Sequence, residues 1–147
     1  MTPGETGPTR TVLTLGLAGV LPFWLLAATA PLKPEWNTLA GAVVALYAAL
    51  ILSFLGGARW GLEIRKPQPS PVTVALAMLP TLAGWAVMVA AHGDVRRQLL
   101  GLGLALLLAW AWDLRATGLP PWYRGFRSLL TLGAVGGLLA GAIGLAA

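Results

Sequence analysis

Very few residues of this chain have the type and placement to do chemistry, and the most informative of them is an arginine. Arg59 closes the stretch Ser53-Phe54-Leu55-Gly56-Gly57-Ala58-Arg59-Trp60-Gly61 after 21 uncharged residues, Thr38 to Ala58. A guanidinium at the end of such a run needs an anionic partner, water or a lipid headgroup. Asp113, which closes another charge-poor run, is the expected partner in a structural ion pair that costs less at a membrane interface than either charge alone. Glu63, one turn beyond Arg59, competes for it, and plain snorkelling into headgroups is a third outcome. With Trp60, Trp110 and Trp112, Arg59 would instead form a ligand or lipid contact, the wall of a pocket for a flat apolar molecule such as a quinone or tetrapyrrole. Trp110 and Trp112 lie two residues apart, so a helix would turn only one of them towards Arg59.

Catalysis has little else to draw on. Cysteine is absent and His92 is the only histidine, so disulfides, zinc clusters, paired-histidine haem ligation and thiol redox chemistry are not available. No metal site and no catalytic residue is expected, and no cofactor is specified. Aspartate, glutamate, lysine and histidine are missing from the middle of every apolar run. That argues against an enzyme and against ion-coupled transport, which uses buried ionisable groups. Gly56-Gly57 would let a helix or ligand approach the backbone beside Arg59. Its spacing does not fit a phosphate-binding loop, which needs a following Lys-Ser/Thr.

The elements that must position these residues are membrane spans. The chain is 57% hydrophobic and 10% charged, against roughly 25% charged for a soluble domain. An all-α, polytopic helix bundle of about five spans follows, at roughly 11–30, 38–62, 72–91, 98–113 and 128–147, forming one transmembrane domain. The fourth has 15 residues between Arg97 and Asp113, about 22 Å of helix, so its flanking charges must snorkel, pair or thin the bilayer. Ala28-Thr29-Ala30 looks like a signal-peptide cleavage site, but Pro31 follows directly, and the first span is expected to be retained. Pro22 and Pro80 should kink the first and third spans. Asp113 to Arg127 is expected to be the longest loop, a surface rich in arginine and aromatics.

The net charge of +5 reads as orientation charge, with no basic stripe for nucleic acid. A cytoplasmic N-terminus puts Arg10, Arg59, Arg65, Lys66, Arg115, Arg124 and Arg127 inside and Lys33, Arg96 and Arg97 outside, which favours that orientation. The seven tryptophans then form two interfacial belts. Gly41, Ala45, Ala49, Ser53, Gly57 and Gly61 recur every four residues in the second span, as do Gly133, Gly137 and Gly141 in the fifth. Small-residue stripes allow close helix packing, so these two spans are expected to pair, or one stripe to lie at an oligomer interface.

From Leu52 to Leu62 the sequence resembles a family of small membrane proteins, domain of unknown function 3429. Similar features run along most of the chain: Leu15-Gly16-Leu17-Ala18-Gly19, Leu21-Pro22-Phe23, Leu79-Pro80, Trp85, Trp112-Asp113 and Leu119-Pro120-Pro121-Trp122-Tyr123. The resemblance implies a multi-pass protein of the bacterial inner membrane, or of mitochondria, and no defined activity. Size, helix number and tryptophan content are also similar to those of the tryptophan-rich sensory proteins, which bind porphyrins and sterol-like ligands, although no tryptophan motif of that group aligns.

The expected function is therefore a non-catalytic accessory or assembly subunit of a larger inner-membrane complex, such as a respiratory one. A binding protein or carrier for a lipid, quinone or tetrapyrrole is the alternative, and a small-solute transporter a distant third. Its expected partners are membrane lipids and another membrane protein or a second copy, not nucleic acid.

Overall fold

The computed structural model describes residues 7–145, and among these it is all-helical. The apolar runs become helices because in lipid every backbone polar group must be satisfied within the segment. The first span, Arg10–Thr29, is broken into α1 (Arg10–Ala18), a 3₁₀ turn over Leu21–Trp24 and α2 (Leu25–Thr29). A second 3₁₀ turn, Pro34–Trp36, leads into the long α3 (Asn37–Ile64). The third span comprises α4 (Pro71–Leu76) and α5 (Leu79–Ala90), followed by α6 (Val95–Asp113) and α7 (Pro121–Gly144).

Four of these segments are long and apolar enough to cross a membrane: Arg10–Thr29, Pro34–Ile64, Pro71–Ala90 and Pro121–Gly144. α6 differs in how it ends rather than in shape. Asp94 caps it, its carboxylate accepting from the Arg97 N–H at 3.0 Å, after a turn at Gly93 with φ +84° that favours glycine. The helix then runs through Arg96 and Arg97 to Asp113, 19 residues or about 28 Å, close to the roughly 30 Å hydrocarbon core. It packs against α3, α5 and α7, burying Leu99, Leu102, Leu106 and Ala109.

The two spans with an internal proline, Pro22 and Pro80, both break, and each break has a partner. Phe23 N–H turns back to Val20 O, and the Tyr47 hydroxyl of α3 donates to Gly19 O at 2.8 Å. At the second break the Ala77 carbonyl lies against Gly56, where a Cβ would come within 2.5 Å of it. Thr81 Oγ1 and Ser53 Oγ are 3.4 Å apart beside this contact. Gly56 is thus the half of the glycine pair that packs a helix.

The two small-residue stripes do not pair with each other. α7 packs on α6 and on the first span, and α3 on the third span and α6, in place of an α3–α7 pairing. Gly133, Gly137 and Gly141 receive Val20, the Phe23 backbone and Leu26 of the first span, and a Cβ at Gly137 would fall 2.6 Å from Phe23 O. Trp24 seals this contact by donating its indole N–H to Gly133 O at 3.0 Å. Gly57 and Gly61, by contrast, have open space within 4 Å of where a Cβ would stand, so they do not pack helices within the chain. Helical geometry explains the divergence: a four-residue repeat rotates about 40° per step around the helix, so five steps carry the α3 stripe past its neighbour while two steps keep the α7 stripe on one.

α7 also starts earlier than the expected boundary at residue 128. Pro121 occupies the first helical position, where its fixed φ suits the helix and its missing N–H is no loss. The connection after α6 shrinks to Leu114–Pro120, and Arg124 and Arg127 become helical.

Candidate functional site

The end of α6, the C-terminal third of α3 and the second turn of α7 meet at Asp113. The carboxylate is buried at 6% exposure, and so is Arg127, whose Nε donates to Asp113 Oδ2 at 3.0 Å. Arg59 approaches the other oxygen, with Nε 3.8 Å from Oδ1 and no hydrogen bond from that nitrogen. Its guanidinium carbon lies 4.5 Å from the centroid of Trp112, a cation–π contact that helps hold the charge under apolar cover. The result is one carboxylate shared by two guanidiniums.

Arg127 is further fixed from its own helix. Its Nη1 donates to Thr131 Oγ1, and the Thr131 hydroxyl donates to Arg127 O at 3.0 Å. Arg127 Nη2 has no partner although it is buried. Glu63 is drawn away from the cluster: its carboxylate accepts from Lys66 Nζ at 2.6 Å and from the Ser70 backbone N–H at 2.8 Å. That contact ties the end of α3 to the cap of α4.

The tryptophans separate. Trp112 faces Arg59, whereas Trp110 points to α7 and donates to Ser128 Oγ at 2.9 Å. Trp60 is 41% exposed. Arg59, Trp60, Trp110 and Trp112 therefore do not converge on one pocket, which corrects the expected aromatic wall. Two adjacent residues on one helix cannot share a face, and Trp60 follows Arg59 directly.

Two grooves are present instead. One, about 750 Å³, lies between the third span and α6 and is lined by hydrocarbon such as Leu79, Val87, Leu104 and Leu108, with Trp112 at one end. The other, about 840 Å³, lies between α1, α3 and α7. Its walls are apolar, from Leu15, Phe23, Phe54 and Leu130, but Arg65, Tyr123, Arg127 and Thr131 border it as well. Ala58 and Gly61 also line it, so small residues of α3 leave room for the groove rather than contact a helix. Pockets of this size hold small amphiphiles. Among the described residues no group of three or more metal-ligating side chains occurs.

The sequence reading missed Arg127 as a site residue because it placed it in a loop. Pro120-Pro121 ahead of an apolar run was the available signal, since proline at the first helical position puts Arg127 and Thr131 one turn apart on one face.

Apolar spans packed around a buried ion cluster define a small polytopic membrane protein. The chain belongs to the family described as Protein of unknown function (DUF3429), whose model matches residues 8–143. It is similar to Transmembrane protein 69 of Xenopus tropicalis, 34% identical over 145 residues, covering 91% of this chain and 54% of that protein. Transmembrane protein 69 of Mus musculus is 27% identical over 103 residues, 66% of this chain and 42% of the relative. The chain thus spans about half the length of the curated relatives it matches. No solved structure matches.

Proposed function

We propose that the protein is a non-catalytic integral membrane protein that holds a hydrophobic amphiphile in the groove between α1, α3 and α7. The observation that carries this is the groove itself: about 840 Å³ of apolar space with arginine, tyrosine and threonine at its border. Ligand sites in proteins combine apolar walls and a few polar groups in this way. The charge bias supports a cytoplasmic N-terminus, with this end of the bundle on the cytoplasmic side of a bacterial inner membrane.

An accessory-subunit role keeps one specific support. The α7 stripe is occupied within the chain, but Gly57 and the exposed Leu46 and Leu50 leave part of α3 open to another helix. Purification from native membranes in mild detergent, followed by native mass spectrometry, tests both. A bound amphiphile that disappears on Leu130→Trp supports the groove, whereas an unchanged mass spectrum in that variant argues against it. A stoichiometric second polypeptide supports the subunit role.

A further inference from the structure

We infer that the occupant of this groove is an anionic membrane phospholipid, with its phosphate set against Arg127 and its chains along the apolar walls. The inference rests on the groove being the ligand site and adds the charge and class of what fills it. Charge is the first observation. Arg59 and Arg127 together carry two positive charges and Asp113 one negative, so the cluster is left with a net +1. Glu63, the nearest other carboxylate along α3, is engaged by Lys66 and the Ser70 N–H. An uncompensated cation in a low-dielectric site is costly and draws in an anion.

Placement is the second observation. Arg127 is 6% exposed, borders the groove, and keeps Nη2 without an acceptor. Guanidinium hydrogens in a fixed fork suit phosphate oxygens. Arg127 is the seventh residue of α7, about 9 Å along the helix from Pro121, a depth at which the head lies just beneath the interface with its chains deeper. Arg65, on the same groove, supplies a second cation. A choline-type head would bring its quaternary ammonium beside Arg65 and Arg127, and a headless hydrocarbon would leave the +1 unanswered. The charge balance therefore selects a head that is net negative.

The full chain, reconstituted in nanodiscs of phosphatidylcholine doped with phosphatidylglycerol of the same acyl chains, is released into native mass spectrometry and its retained lipids counted. One phosphatidylglycerol should be retained with about tenfold preference over its share of the bilayer, as expected for a hydrogen bond to a charged group. Arg127→Gln should abolish that preference. Because this variant also removes the nearest partner of Asp113, Arg65→Gln is measured beside it. Arg65 lies outside the ion cluster, and its loss should lower the preference about threefold with an unchanged thermal midpoint. Equal retention of both lipids by the wild type, lost in Leu130→Trp, overturns the anionic head and leaves the groove as a ligand site. Absence of retained lipid, with Leu130→Trp indistinguishable from wild type, overturns both. Oleate displacing phosphatidylglycerol at equal concentration overturns the assignment to a phospholipid.

Discussion

Two grooves of nearly equal size open on this bundle, about 750 and 840 Å³, and they differ in what borders them. The groove between the third span and α6 is walled by hydrocarbon. Its counterpart between α1, α3 and α7 has Arg65, Arg127, Tyr123 and Thr131 on its border. The ion cluster stands between them: Arg59 covers Trp112, which lines the first, while Arg127 lines the second. In a membrane protein an apolar groove is by default filled by lipid tails, because tails and side chains are equally apolar. Volume therefore does not distinguish a site from a gap. A charge without a counter-charge does.

Removing the carboxylate strikes at that difference first. Asp113→Asn leaves the buried Arg127 and the half-buried Arg59 without an anion and should lower unfolding stability in mixed micelles by about 3–5 kcal/mol, measured by denaturant titration. A loss under 1 kcal/mol would mean that the cluster is hydrated and that the two grooves are electrically alike. Next in size is the close contact of α7 with the first span. Gly137→Ala drives a methyl into the Phe23 carbonyl and should cost about 1–3 kcal/mol, whereas Gly57→Ala, with open space around it, should be neutral or stabilise by a few tenths up to about 1 kcal/mol.

Arg59→Gln removes the looser contact with Asp113 and the cation–π contact with Trp112, and should cost about 1 kcal/mol. In a double-mutant cycle with Asp113→Asn its effect should be strongly non-additive, and strict additivity would place Arg59 outside the cluster. The smallest stability change is expected from filling the apolar groove. Leu104→Trp, on a lipid-facing position 59% exposed, should shift stability by less than about 0.5 kcal/mol and leave lipid retention unchanged. If it displaced lipid as Leu130→Trp is expected to, the two grooves would be equivalent.

The membrane fold was legible because hydropathy and charge spacing act over whole segments. Arg59, Asp113 and the choice of one tryptophan between Trp110 and Trp112 were legible too, since isolated charges and helical spacing constrain them locally. Arg127 was not, because its place depends on where α7 begins, and a charged stretch after Asp113 reads as loop until the Asp113 carboxylate is known to receive it. The neighbours of the glycine stripes were illegible for another reason. Spacing says that a helix can come close, but not which one, and only the fold shows that Val20, Phe23 and Leu26 fill the α7 stripe while Gly57 stays open.

The broken first span bears on how the chain is made. Gly19 O is met by the Tyr47 hydroxyl and Trp24 by Gly133 O, so the first span depends on the second and on α7, both synthesised after it. A bare carbonyl in hydrocarbon costs several kcal/mol, which favours delivery of the first two spans into the bilayer as a paired hairpin. The Gly133–Gly141 face arrives only with α7. During biogenesis these spans therefore close last along the same side as the charged groove, and a lipid can be enclosed there as α7 docks.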